Sequence, residues 1–256
     1  MQPTPTLGAS GAKPAGAADE ASAAAAVREM FDGIAPRYDL LNHLLSLNID
    51  RWWWWRAARR FRGILARPDA LVLDLCCGTG DMTLALLQRR SANSRPVLAA
   101  DFSHQMLVRG AAKFAVRWDS APRALAIEAD ALRLPLSDNS VDLITAAFGF
   151  RNLANYPAGL AEFHRVLRPG GELGILDFSE PGGALGKLYA FYFRRVLPAV
   201  GSRLSGVAGP YAYLPDSVHN FPPPAEMREM MATAGFRDVS WTPYTFGVAG
   251  LYRAVK

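Results

Sequence analysis

From residue 70 onward, short apolar runs alternate with stretches of helical spacing. The runs at 71–75, 97–100, 125–128, 143–148 and 173–177 have strand length and few polar interruptions, as strands buried on both faces of a parallel sheet do. Between them, 82–89, 104–117 and 158–167 read as helices. This alternation predicts an α/β fold with a mostly parallel sheet and helices on both faces. Residues 181–224 interrupt the rhythm with glycine, proline and aromatics. A helix is expected at 224–234, then two strands at 237–242 and 245–254, with Pro243-Tyr244 near the turn. Ahead of the alternation, 27–31 looks helical, Pro36 interrupts it, and 38–61, rich in Leu, Trp and Arg, is expected to form one or two helices. No internal repeat or clear boundary divides the chain. The helices of 27–66 and the insert of 181–224 are therefore expected as additions to one domain, 27–256. Residues 1–26 are dominated by Ala, Pro, Gly, Ser and Thr with one base, Lys13, and are expected to be a disordered tail.

Composition narrows the class. The 256 residues are 50% hydrophobic and 20% charged, enough to bury a sizeable core. The two cysteines, Cys76 and Cys77, are neighbours, which excludes a disulfide scaffold and fits a reducing compartment. No His/Cys cluster has metal-ligand spacing, so no metal is expected. No apolar run reaches the roughly 18 residues of a membrane span. The N-terminal segment lacks the apolar core of a signal peptide and the arginines of a transit peptide, so a cytoplasmic protein is expected. Lys plus Arg exceed Asp plus Glu by 28 − 23 = +5, which fits an anionic partner. There is no dense basic run or aromatic RNA-reading motif, so nucleic acid is not expected.

The strongest chemical signal is Leu71-Val72-Leu73-Asp74-Leu75-Cys76-Cys77-Gly78-Thr79-Gly80-Asp81. A buried strand runs into a Gly-x-Gly turn and then a helix. Glycine permits a sharp turn and close backbone approach to a ligand, and the helix start offers free N–H groups. Asp101 lies 21 positions after Gly80, at the end of the next candidate strand, where an acid holds both hydroxyls of a ribose. A dinucleotide site wants a third glycine at position 83, but Thr83 stands there. Asp74 and Asp81 flank the loop; carboxylates repel pyrophosphate and suit a cation. S-adenosylmethionine carries a sulfonium, an ammonium and no phosphate. Asp130, after the third strand, is placed to accept from the adenine amino group. Its alternative is a turn or helix-capping acid.

These residues resemble the class I S-adenosylmethionine methyltransferases, which implies a Rossmann-like sheet of seven strands with an antiparallel strand at its C-terminal end. From about Val27 onward the chain is similar to the ubiquinone/menaquinone biosynthesis C-methyltransferases. The resemblance rests on Tyr38-Asp39-Leu40-Leu41-Asn42 with Leu45-Ser46 and Trp53. It also rests on Phe148-Gly149-Phe150-Arg151-Asn152, on Arg165 to Gly171 with Asp177-Phe178-Ser179, and on Tyr211, Tyr213-Leu214, Ser217 and Phe221-Pro222. The chain departs from the family at Leu41 (usually Met), Asp50 (usually His), Ala147 (often Ser) and Asp177 (usually Glu). The resemblance implies that Thr79, Asp101, Asp130 and Ala131 contact the cofactor, with Ala147 through its backbone only, beside Asp74, Gly78 and Gly80 of the loop.

The resemblance further implies methylation of a ring carbon on a prenylated quinol. Demethylmenaquinol is the expected acceptor. A 2-polyprenyl-6-methoxy-1,4-benzoquinol, alone or in addition, is the alternative, and another lipophilic acceptor or RNA ranks below it. A phenol titrates near pH 10, so a base or a positive neighbour helps to deprotonate the ring. Arg151 is expected to steady the quinolate oxygen with Asn152 as a hydrogen-bond partner; its other reading is a structural loop arginine. Tyr38 is expected to cap the substrate, or to pack at a helix start. His43, His104 and His164 are expected in structural or surface roles; His219, beside Asp216, is expected in a loop role, with a general base as its alternative. Tryptophans occupy 52–55 beside Arg51, Arg56, Arg59 and Arg60. Four consecutive residues surround a helix, so all four cannot enter one core. Tryptophan beside arginine suits a membrane interface; core packing plus a homodimer contact is the alternative. In the insert, Tyr189, Phe191, Tyr192, Phe193, Tyr211, Tyr213 and Phe221 are expected to cover the substrate.

Overall fold

The structure, a computed structural model, describes residues 11–12, 14, 16–38, 46, 48–117, 123–181 and 209–256. The elements run α1 (Glu20–Ile34), α2 (Ile49–Arg60), α3 (Arg62–Leu65), β1 (Val72–Leu75), α4 (Asp81–Leu87), β2 (Val97–Asp101), α5 (His104–Arg117), β3 (Ala124–Glu128), β4 (Val141–Ala147), α6 (Tyr156–Val166), β5 (Leu167–Phe178), α7 (Gly209–His219), α8 (Pro224–Thr233), β6 (Arg237–Tyr244) and β7 (Ala249–Val255). One seven-stranded sheet has the order β3-β2-β1-β4-β5-β7-β6. β1 to β5 pair in parallel, and β7 runs antiparallel to both β5 and β6. The expected seven-stranded, mostly parallel sheet is what forms. The order reverses at β1, with β2 on one side and β4 on the other, and such a switch point opens a crevice at the strands' carboxyl ends.

Differences from the sequence reading have local causes. Helix α1 starts at Glu20, so the expected disordered tail to residue 26 is too long. Asp19 accepts from the Ser22 N–H at 2.8 Å, and Ser22 Oγ lies 3.0 Å from the Asp19 N–H. This reciprocal capping box fixes the start. Further upstream, Ala12 is buried, and its N–H donates to Leu153 O at 2.8 Å. β5 begins earlier than residue 173 because a register shift between Val141 and Leu143 lets Leu167 pair with Val141. α7 lies inside the stretch that looked irregular. Of the insert, residues 182–208, with Tyr189, Phe191, Tyr192 and Phe193, lie outside the described residues, as do Asp39 and His43.

The core has two layers. On one face of the sheet Phe150, Tyr156, Phe163, Phe221 and Met227 are buried together. Phe221 was expected over the substrate. Instead its ring lies 5.7 Å from Tyr156 and 6.3 Å from Phe150, in the core. On the other face Trp53, Phe61, Leu86, Leu143 and Leu251 pack together. Phe61 is almost wholly buried against β5, where a Cβ at position 174 would stand 2.3 Å from its ring. Gly174 is thus the depression that receives the ring and seats the end of α2. Phe61→Ala should cost about 3–5 kcal/mol of stability in denaturant unfolding. A loss below about 1 kcal/mol would mean that α2 is seated by something else.

Candidate active site

β1 enters its turn through Cys76 (φ 50°), and Gly78 (φ 55°) and Gly80 (φ 87°) follow in the left-handed region. Gly80 starts α4, and a Cβ there would stand 2.4 Å from the Phe114 ring. Both the φ and the packing require glycine. The turn forms one wall of a cavity of about 440 Å³ that runs along the carboxyl ends of the parallel strands.

Gly78, Thr79, Asp101, Asp130, Ala131 and Ala147 all line this cavity. Asp101 accepts the Gly78 N–H at 2.8 Å on one oxygen and the Ser103 N–H at 2.9 Å on the other. Burial pushes its pKa up to about 6, against the pull of these backbone donors. It is therefore ionised at neutral pH and is aimed by the turn it serves. Asp130, after β3, accepts the Leu132 N–H at 2.9 Å. Asp81 also lines the cavity and pairs with Lys113 at 3.2 Å, while Lys113 donates to Thr79 Oγ1 at 3.0 Å. Three carboxylates on this wall fit a cationic nucleoside and oppose a pyrophosphate.

Asp74 and Gly80, expected as cofactor contacts, lie off the cavity wall. Asp74 is fully buried and accepts from Thr83 Oγ1 at 2.6 Å and Thr145 Oγ1 at 2.7 Å. It ties β1 to α4 and to β4 and so supports the glycine turn from behind. Thr83, which spoke against a dinucleotide, is the residue that completes this lock. Burial pushes the Asp74 pKa up to about 7, although both threonines oppose the rise. Cys76 and Cys77 line the cavity, and burial pushes both thiols well above their ordinary range, with Asp101 adding repulsion. They are apolar wall, not nucleophiles.

The other half of the cavity lies over β4, β5 and β7. Phe148 and Phe178 sit 4.6 Å apart, with Trp53 at 5.6 and 6.0 Å from them. Tyr38, Asp50, Arg151, Asn152 and Tyr213 complete this part of the lining. Arg151 is buried, and its Nη1 pairs with Asp177 at 2.9 Å and also donates to the Phe148 carbonyl. Its Nε donates to Ser217 Oγ at 3.3 Å and its backbone N–H to Asp177 at 3.0 Å. Burial opposes its charge, but Asp177 more than compensates and raises its pKa. Asn152 accepts from the Tyr213 hydroxyl at 3.2 Å. Arg151 is thus a structural anchor as well as a wall.

Sequence reasoning missed Asp50, Thr245 and Val248 as wall residues, and Lys113 as the partner of Thr79 and Asp81 behind the wall. Asp50 was visible only as a departure from the family. Thr245 and Val248 belong to the β6–β7 connection, and only the sheet order brings that turn to the cavity. The described histidines, His104, His164 and His219, do not line the cavity. His164 packs edge-on against Phe236, His104 meets Glu128 at 3.0 Å, and His219 meets Glu180 at 3.2 Å. Among the described residues no group of acidic, His or Cys side chains is arranged to hold a metal ion, and no helix is long and apolar enough to cross a membrane.

The model of the ubiE/COQ5 methyltransferase family matches residues 18–256. The chain belongs to this family. It is similar to the demethylmenaquinone methyltransferase of Deinococcus radiodurans, 45% identical over 89% of this chain and 91% of the relative. It is also similar to the ubiquinone/menaquinone biosynthesis C-methyltransferase UbiE of Geobacter sulfurreducens, 42% identical over 90% of this chain and 88% of the relative. The fold matches a SAM-dependent methyltransferase from Aquifex aeolicus with a TM-score of 0.54 and 20% identity, covering 74% of this chain and 83% of that one. This family member is an S-adenosylmethionine-dependent methyltransferase, and the cavity's acidic wall suits that cofactor.

Two outcomes follow from the buried charges. Asp74 and Asp101 have folded pKa values above the unfolded value of 3.8, so the native state holds protons that the unfolded state releases. These two groups should therefore take stability from the ligand-free protein as pH rises from about 4 to about 7, by at most about 1.4 kcal/mol per pH unit per group. Asp74→Asn should flatten that slope in denaturant melts; an unchanged slope would contradict the assignment. Arg151→Ala leaves Asp177 buried and unpaired and should cost about 3–5 kcal/mol, partly restored by adding Asp177→Leu. Equal stability of Arg151→Ala and the parent would contradict the anchor role.

Proposed function

We propose that this family member transfers the methyl group of S-adenosylmethionine to a ring carbon of a prenylated quinol, converting demethylmenaquinol to menaquinol. The carrying observation is the shape of the cavity. Its acidic half, over β1 to β3, is continuous with an aromatic half over β4, β5 and β7. Bound in the acidic half, S-adenosylmethionine supplies an electrophilic methyl on its sulfonium.

The chain's own contribution is placement. Asp101 accepts the ribose hydroxyls, and Asp130 accepts from the adenine amino group. Ala147 offers only its backbone. Trp53, Phe148 and Phe178 offer a planar, apolar berth for the quinol ring. Residues 27–66 act as a cap, with Phe31, Ile34, Tyr38 and Ile49 on the cavity wall. From the insert, Tyr213 and Leu214 of α7 reach the same space. Holding ring carbon, methyl and sulfur in line and dry supplies much of the rate. Arg151 positions the Phe148 carbonyl, and its charge lies on the side where a quinolate oxygen develops. A substrate with a prenyl tail resides in a bilayer, so this reading requires the protein to meet a membrane surface.

The benzoquinol reading stays in view because one relative carries both quinones in its name. Transfer of labelled methyl should be measured with reduced demethylmenaquinone and with reduced 2-polyprenyl-6-methoxy-1,4-benzoquinone. Transfer to the naphthoquinol is expected. Transfer to the benzoquinol alone would replace the acceptor, and cofactor binding without transfer to either would overturn the proposal.

A further inference from the structure

Among the described residues the exposed large apolar side chains are Ile49, Trp52, Trp55, Val108, Leu125 and Phe246. Four of these belong to α2 or to the turn bonded to it. Trp53, buried on α2, donates from Nε1 to Thr245 Oγ1 at 2.8 Å, and Trp52 packs against Tyr244 with ring centroids 5.9 Å apart. These contacts fasten the outer edge of α2 to the Thr245–Gly247 turn between β6 and β7. Phe246, at the tip of that turn, is 84% exposed. It holds a left-handed conformation at φ 58°, directly after Thr245 at φ 46°. Such a backbone is costly for bulky or branched side chains. The strained turn therefore displays a phenylalanine to solvent, where it gains nothing unless something apolar covers it.

The charge of this face says what covers it. α2 carries Arg51, Arg56, Arg59 and Arg60, and its only acid, Asp50, is buried. At helical spacing, Ile49, Trp52, Arg56 and Arg59 share one side. Arg56 lies 5.0 Å over the Trp52 ring and 4.7 Å over Tyr244. Arg59 and Arg89 each lie 5.4 Å over Trp55. Aromatic rings interleaved with guanidinium groups match the interfacial layer of a bilayer, where rings sit at headgroup depth and arginines meet phosphates. A second copy of the chain fits poorly, because a twofold contact would press this positive face against itself. The face also borders the cavity. Ile49, Trp53, Thr245 and Val248 line the inside, while Trp52 and Phe246, their neighbours, are exposed.

We propose that the outer face of α2 and the Thr245–Gly247 turn form a docking surface for an anionic lipid bilayer, with Phe246 and Trp52 as its anchors. It deepens the quinol reading by placing the cavity rim at the lipid surface from which a prenylated ring enters. The geometry of the face does not depend on that reading.

The test is co-sedimentation of the full chain with vesicles of phosphatidylcholine alone and of phosphatidylcholine with phosphatidylglycerol, without quinol or cofactor. Binding to the anionic vesicles is expected, weakened by salt. Phe246→Ser and, separately, Arg59→Glu should each reduce partitioning about ten-fold or more, with circular dichroism and methyl transfer to a short-chain acceptor unchanged. No binding to anionic vesicles would overturn the proposal, as would full binding by both variants. Loss of a dimer on Phe246→Ser, seen by light scattering without vesicle binding, would reassign the face to self-association. Because vesicle binding is read without substrate, a wrong acceptor and a wrong docking face give different results.

Discussion

The Asp177 carboxylate, wholly buried at the end of β5, holds both the guanidinium and the backbone N–H of Arg151. The acceptor half of the cavity depends on this pair. Through it, the turn after β4 is fastened to β5, and the Phe148 carbonyl is drawn in by the same guanidinium. Ser217 brings in α7, and the Tyr156 hydroxyl, donating to the Arg151 carbonyl at 2.7 Å, brings in α6. A buried ion pair contributes little net stability compared with apolar residues, but losing one partner is expensive. That asymmetry makes it a device for fixing geometry. Here it fixes where Phe148 and Phe178 stand.

The cofactor half follows a different rule. Asp101 ends β2 and Asp130 follows β3, and each is aimed by backbone donors of the neighbouring turn. Asp101 receives the Gly78 N–H, so the glycine turn and the acid proposed to hold the ribose position each other. Behind them Asp74 spends its carboxyl on two threonines and faces no ligand. Burial is what raises Asp74 and Asp101, and repulsion from neighbouring carboxylates adds a smaller push in the same direction. A cationic ligand relieves the opposition among the acids that line the crevice.

Much of this was legible in the sequence because it is written locally. Strand-length apolar runs predicted the sheet, and the Gly-x-Gly turn and its spacing to Asp101 predicted two neighbours on one cavity wall. Other features are not local. Asp74 reads as a loop acid until Thr145, on a strand distant in sequence, is seen to occupy it. Arg151 reads as an unpartnered charge until β5 brings Asp177 to it and makes it an anchor as well. Thr245, Val248 and Phe246 carry no pattern of their own, and only the β7 insertion beside β5 places their turn next to α2. The four tryptophans divided as helical geometry demands: Trp53 inside, Trp54 half-buried, Trp52 and Trp55 outside. The capping box at Asp19 and Ser22 was readable and would have corrected the start of α1.

The most direct measurement is a crystal structure of the full chain with S-adenosylhomocysteine and a demethylmenaquinone analogue bound together. The expected result has the ribose on Asp101, the adenine beside Asp130, and the naphthoquinone ring among Trp53, Phe148 and Phe178 with its methyl-accepting carbon facing the sulfur. A nucleoside seated away from Asp101, or a ring bound outside the aromatic half, would contradict the division of one cavity into a cofactor half and an acceptor half.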